Sequence, residues 1–167
     1  SYTAFQKYVK ELKERGITLA VCSKNDFVNA KEGFSHPESI LRFTDFTSFR
    51  ANWDPKNQNI QDIANEINIG IDSLVFIDDN PVERDIVFSQ IPSVSVPDVG
   101  ADVVEFIEHI DRNGYFEPIS LSQDDVNRNQ YYKDNKKRVS EQATFQSYGE
   151  FLASLEMTAE IKSFSQI

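Results

Sequence analysis

The chain has 167 residues, 40% of them hydrophobic and 13 of them Phe, enough for one domain with a proper core and an appendage. Its formal net charge of -10, from 17 Lys and Arg against 27 Asp and Glu, disfavours nucleic acid or an anionic membrane as the main partner, since both are bound through cationic surface. A single cysteine, Cys22, allows no internal disulfide, no stretch approaches the roughly 18 apolar residues of a membrane span, and no signal peptide is visible, so a reducing, cytoplasmic setting is expected.

In chain order, Phe5, Val9 and Leu12 recur at spacings that predict a helix, with Gly16 as a left-handed stop. Ile17 to Cys22 is an apolar run suited to a buried strand, and Ser23-Lys24-Asn25-Asp26 suits a loop and a helix cap. Ser48 to Trp53 is a weaker strand candidate. Asn57 to Asn68 carries Ile60, Ile63, Ala64 and Ile67 at helical spacing. Leu74 to Ile77 predicts a second buried strand, Asn80 an N-cap with Pro81 at the first helical position, and Val94 to Val96 a further short strand. Helix alternating with strand predicts an α/β fold, a parallel sheet wrapped by helices. Beyond Phe116, the polar, charged stretch Ser122 to Ala143 predicts a helical connector anchored by Tyr131 and Tyr132. Ser147 to Leu155 fits another helix, and Met157 to Phe164 a strand that begins a following domain.

The stretch Val75-Phe76-Ile77-Asp78-Asp79-Asn80 is the most informative, because an apolar strand runs straight into two carboxylates. In α/β sheets the carboxyl ends of strands are where ligands sit. Two carboxylates within about 4 Å repel by roughly 4 kcal/mol at an effective dielectric near 20, a cost that a divalent cation or a shared proton offsets, with a hard cation such as Mg2+ the natural candidate. The bland alternative is one Asp capping the next helix and its neighbour in water. If Ile17 to Cys22 lies in the same sheet, Ser23 reaches the same rim, where its hydroxyl and the backbone N–H groups of Lys24 and Asn25 at a helix start suit a phosphate oxygen; otherwise Ser23 is a helix cap. Lys56, at a helix start after a candidate strand, can point its ammonium into that cleft; otherwise it is solvated.

The ordered set of Ser23 after a strand, Lys56 at a helix start and Asp78-Asp79 after a second strand resembles the haloacid dehalogenase (HAD) superfamily of phosphohydrolases and phosphotransferases. Within it, Leu19 to Asp26, Phe49 to Lys56 and Phe76 to Arg84 resemble the FkbH-like family, over about the first 118 residues. The resemblance implies a Rossmannoid three-layer parallel sheet over residues 1–118, a helical connector over 119–156 and a following domain from 157. It implies that Ser23 hydrogen-bonds the transferring phosphoryl group, that Lys56 neutralises it and that Asp78 and Asp79 hold Mg2+, with Ser23, Lys24, Asn25 and Lys56 lining the substrate site and Asp78 serving catalysis. The expected substrate is a small phosphorylated metabolite or acyl phosphate. Glyceryl transfer to an acyl carrier protein, and other domains of the same polypeptide as partners, are part of the same implication.

The family's nucleophile is an aspartate in an Asp-x-Asp motif on a central strand, and these 167 residues hold no Asp-x-Asp. The chain is therefore expected to be a piece of a longer protein, one that as a separate polypeptide neither folds well nor turns over substrate. A plain small-molecule phosphatase and a non-catalytic HAD-shell scaffold are the alternatives. Cys22 is a candidate acyl nucleophile, set against the reading of a small buried hydrophobe at a strand end. His36 and His109 fit no metal-ligand spacing and are expected to be solvated or capping. Arg128, Lys133, Lys136, Lys137 and Arg138 form a basic concentration that is either a solvated helix face or a docking strip for an acidic carrier.

Overall fold

The computed structural model describes residues 2–100, 102–117 and 123–142, so the readings over 147–155 and 157–164 lie outside the described residues. Helix α1 (Tyr2–Glu14) buries Leu12. It ends as its sequence implies, with Gly16 at φ 96° and the Gly16 and Ile17 amides donating to the carbonyls of Lys13 and Leu12, both at 3.0 Å.

Strand β1 (Leu19–Lys24) pairs in parallel with β2 (Phe46–Asn52). Both are displaced from the predicted spans. β1 starts at Leu19 rather than Ile17 and continues past Cys22, because Ser23 and Lys24 lie opposite Ala51 and Asn52 in the ladder. Pairing with β2 thus outweighs the turn preference of a polar Ser-Lys pair. The short helix α2 (Phe27–Gly33) begins only after Asp26, whose side chain makes no capping bond. Phe49 of β2 packs against the rings of Phe27, Phe34, Phe43 and Phe46.

Helix α3 (Lys56–Ile67) starts directly after Pro55 and stops at Asn68, which takes the left-handed conformation at φ 61°. The segment at 74–77 is not a full strand. It makes one parallel bridge, Val75 with Ser95, closed by Phe76 N to Ser95 O at 2.8 Å and Ser95 N to Leu74 O at 3.1 Å. Helix α4 (Pro81–Gln90) begins as expected, the Asn80 side chain accepting from the Val82 amide. Helices α5 (Val103–Arg112) and α6 (Gln123–Gln142) follow, α6 falling within the stretch Ser122 to Ala143 expected to be helical.

Adjacent residues of the 74–77 segment show the layering. Phe76 shares one apolar cluster with Ile60 of α3 and Val87 of α4, and Ile77 packs against a second one, formed by Val99 with Val103, Phe106 and Ile110 of α5, against which Phe5 and Tyr8 of α1 also pack. Alternate residues of an extended chain point to opposite faces, so α3 and α4 cover one face and α1 and α5 the other. The α/β expectation is met, with parallel pairing between two helical layers. The chain divides into two compact units, Ser1–Lys133 and Asp134–Ile167.

Candidate functional site

Lys56 is the first residue of α3, 8% exposed although its type is almost always solvated. Its ammonium rests against Oδ2 of Asp78, side-chain exposures being 10% and 7%, and lies 5.8 Å from the centre of the Phe76 ring. The other Asp78 oxygen accepts the Asn80 amide at 2.9 Å. This tight turn is the reason the apolar run ends here, and it aims the carboxylate back toward α3. The Asp79 residue is exposed. Asp78 and Asp79 supply two carboxylates, and among the described residues no group of three His, Cys, Asp or Glu side chains could hold a metal ion.

A second ion pair joins β1 to α4. Lys24 Nζ lies 2.5 Å from Oε1 of Glu83, in the first turn of α4. Glu83 is 8% exposed, and its other oxygen, Oε2, is buried with no hydrogen-bond partner among the described residues. The next residue, Arg84, 9% exposed, turns its guanidinium onto the backbone of the acidic loop. Nη1 donates to the carbonyls of Asp78 at 2.8 Å, Asp79 at 3.3 Å and Gly100 at 3.1 Å, and Nη2 pairs with Asp98 at 3.0 Å. Glu83 and Arg84 lie within the Phe76 to Arg84 motif, whose order alone assigns them no role. The signal for them was an adjacent charge pair in the first turn after two acids, where one residue faces each neighbouring strand end.

Cys22 and Lys24 both reach this rim, Cys22 Sγ lying 3.8 Å from the Lys56 carbonyl. Burial pushes the Cys22 thiol up to about 11; Asp78 and Glu83 add to the rise, while Lys56 and Lys24 oppose it. A thiol so shifted is almost entirely protonated near neutral pH, the state of an inert buried cysteine. The structure thus brings together Lys56, Asp78, Cys22, Lys24 and Glu83. Ser23 lies between Cys22 and Lys24 on the ladder, half-buried, and no hydrogen bond joins its hydroxyl to Lys56 or Asp78. The expectation that the Lys24 amide sits at a helix start is corrected, since Lys24 is still in β1 and α2 opens at Phe27. Asn25 is occupied locally, its Oδ1 accepting the Asp26 amide at 2.8 Å. His36 Nδ1 accepts the Glu38 amide at 3.3 Å within a turn that the Ser39 amide closes on the His36 carbonyl at 3.0 Å.

No family model matches the chain, and no curated protein does. Among solved structures it is similar to the N-terminal part of the protein BF1531 from Bacteroides fragilis, which contains a phosphatase domain and was crystallised with Mg. The two share 46% sequence identity at a TM-score of 0.69, over 71% of this chain and 32% of that one. The chain thus spans about a third of the length of the crystallised chain it matches. With parallel pairing, helices on both faces and an acidic loop at a strand end, this chain has a HAD-like α/β fold, shared with that phosphatase domain.

Proposed function

We propose that the rim formed by Lys56, Asp78 and Asp79 is part of a Mg2+-dependent phosphoryl-transfer site acting on a small phosphorylated metabolite or acyl phosphate. The observation that carries this reading is the buried Lys56–Asp78 contact at the carboxyl end of an extended segment. Two residues 22 positions apart bring an ammonium and a carboxylate to one point, the charges needed to hold a phosphoryl group and its counter-ion.

The donor set fits Mg2+, which keeps several waters and takes one or two carboxylates plus substrate oxygens rather than a full protein cage. Asp78 and Asp79 would hold it. When bound, the ion supplies positive charge to phosphoryl oxygens. Lys56 supplies the fixed positive charge, its position held by the start of α3 and the Phe76 ring. Ser23, at the carboxyl end of β1, is read as a hydrogen-bond donor to the phosphoryl group, with Lys24 and Asn25 beside it. The nucleophile is read as an aspartate on a further strand outside these 167 residues. Support for that strand is the edge of β1 not paired with β2, which has no strand partner among the described residues.

The finer reading is FkbH-type transfer of a glyceryl group to a carrier-protein thiol in the cytoplasm, without nucleic acid or membrane as partner. Among the described residues no helix is long and apolar enough to cross a membrane. The test is phosphate release by the full-length protein from an acyl phosphate and from a simple phosphate monoester, with Mg2+ and after chelation, with and without a carrier protein. Chelation and Lys56→Met should each reduce release by about 100-fold or more. Release that survives both sinks the reading. Carrier-dependent release separates transfer from plain hydrolysis.

A further inference from the structure

Two loops meet at the rim, the acidic loop at 78–80 and the loop at 98–100 that follows the Val94 to Val96 segment, and one side chain holds both. Arg84 is anchored in the first helical turns of α4, 9% exposed, and spends its donors on three backbone carbonyls and one carboxylate. Two of the carbonyls belong to Asp78 and Asp79, the third to Gly100. Asp98 closes the arrangement, because its Oδ1 accepts from both Arg84 Nη2 at 3.0 Å and the Gly100 amide at 3.3 Å. Gly100 adopts φ 72°, a left-handed turn that suits glycine and lets its carbonyl face the guanidinium.

A planar guanidinium with five fixed donors can bind several acceptors at once, where an ammonium acts as a single point charge. The Asp78 and Asp79 carbonyls are engaged by Arg84, so the loop is left to present its carboxylates, not its carbonyls, at the rim. We propose that Arg84 is the positioning residue of this site: it fixes the backbone of the Asp78–Asp79 loop, ties it to the 98–100 loop, and thereby sets the direction of the two carboxylates. The part of the proposal that concerns Mg2+ rests on the phosphoryl-transfer reading. The part that concerns loop order does not.

The experiment uses the full-length protein and Arg84→Lys, which keeps the charge and can reach Asp98 or one carbonyl but not all four acceptors. Amide hydrogen exchange at Asn80 and Gly100 should accelerate at least tenfold in R84K while the amides of β1 and α3 keep their wild-type rates. Calorimetric titration with Mg2+ should show affinity weakened at least fivefold. Asp98→Ala, which leaves the carbonyl contacts in place but removes the acceptor of the Gly100 amide, should move Asn80 exchange and Mg2+ affinity less than R84K. Unchanged exchange at Asn80 and Gly100, or a uniform rise along the whole chain, overturns the proposal, the latter because it assigns Arg84 to stability alone. Unchanged Mg2+ affinity in R84K also overturns it. A wild-type protein that binds no Mg2+ overturns the phosphoryl-transfer reading, and the exchange result then decides Arg84 by itself.

Discussion

The Lys56 ammonium and the Asp78 carboxylate compensate each other at side-chain exposures of 10% and 7%. Removing one partner of such a pair leaves an uncompensated buried charge, at a cost of about 3–5 kcal/mol, whereas removing both together costs much less. Lys56→Met is therefore expected to destabilise the full-length protein by about 3–5 kcal/mol. Lys56→Met combined with Asp78→Asn is expected to recover more than half of that loss. Urea unfolding of the four proteins closes the cycle, and additive costs would show that the two charges are not coupled.

A separate cluster governs stability in acid. Asp45 is buried at the end of a short turn before β2 and accepts Lys10 Nζ at 2.7 Å, Lys13 Nζ at 2.6 Å and the Arg42 amide at 2.8 Å. Burial by itself would raise its carboxyl, but the bonds from Lys10, Lys13 and the Arg42 amide outweigh burial and hold it well below the usual carboxylate range. A folded value below the unfolded one means stability that is complete above the unfolded value, about 3.9, and that drains away as pH falls below it. Asp45→Asn is expected to lower stability at pH 7 and to flatten the acid limb of a plot of unfolding free energy against pH. An acid limb of unchanged steepness in D45N would rule the group out.

How far the sequence led can be judged on the same elements. The α4 start was readable because Asn80 and Pro81 carry local chemistry, a side-chain acceptor and a fixed φ, that acts without tertiary help. Gly16 was readable for the same kind of reason. The end of β1 was not, because whether Ser23 and Lys24 are strand or loop depends on Ala51 and Asn52 lying opposite them. The meeting of Lys56 with Asp78 followed from the order of motifs, but the partners of Lys24 and Asp78 in Glu83 and Arg84 depend on the way α4 rolls against the strand ends, which periodicity does not specify.

Cys22 offers a direct check on the acyl-nucleophile alternative. With its thiol pushed up to about 11, the thiolate fraction near pH 8 is on the order of one in a thousand. Alkylation by iodoacetamide should therefore be slow at pH 8 and should rise about tenfold per pH unit up to pH 10 without levelling. Cys22→Ala is expected to leave phosphate release within about twofold of wild type, because the side chain only fills space against the apolar cluster that holds Ile60, Phe76 and Val87. Rapid labelling at neutral pH, together with loss of carrier acylation in C22A, would return Cys22 to the chemistry.

The Lys24–Glu83 pair should respond unequally to removal of its two members. Glu83 is 8% exposed and already holds one buried oxygen without a partner among the described residues, while the Lys24 side chain is 37% exposed and can turn its ammonium to water. Lys24→Met takes the remaining partner from a carboxylate that has nowhere else to go, and losing a hydrogen bond to a buried charged group costs about 1.5–3 kcal/mol or more. Glu83→Gln leaves a neutral amide that still accepts from Lys24, and relieves the orphaned charge, at a cost of about 1 kcal/mol or less. The expected order is therefore K24M well below E83Q in stability, with K24M partly rescued by adding E83Q. Chemical denaturation measures it, and equal costs for the two single variants would mean that Glu83 finds a partner or a path to solvent once Lys24 is gone.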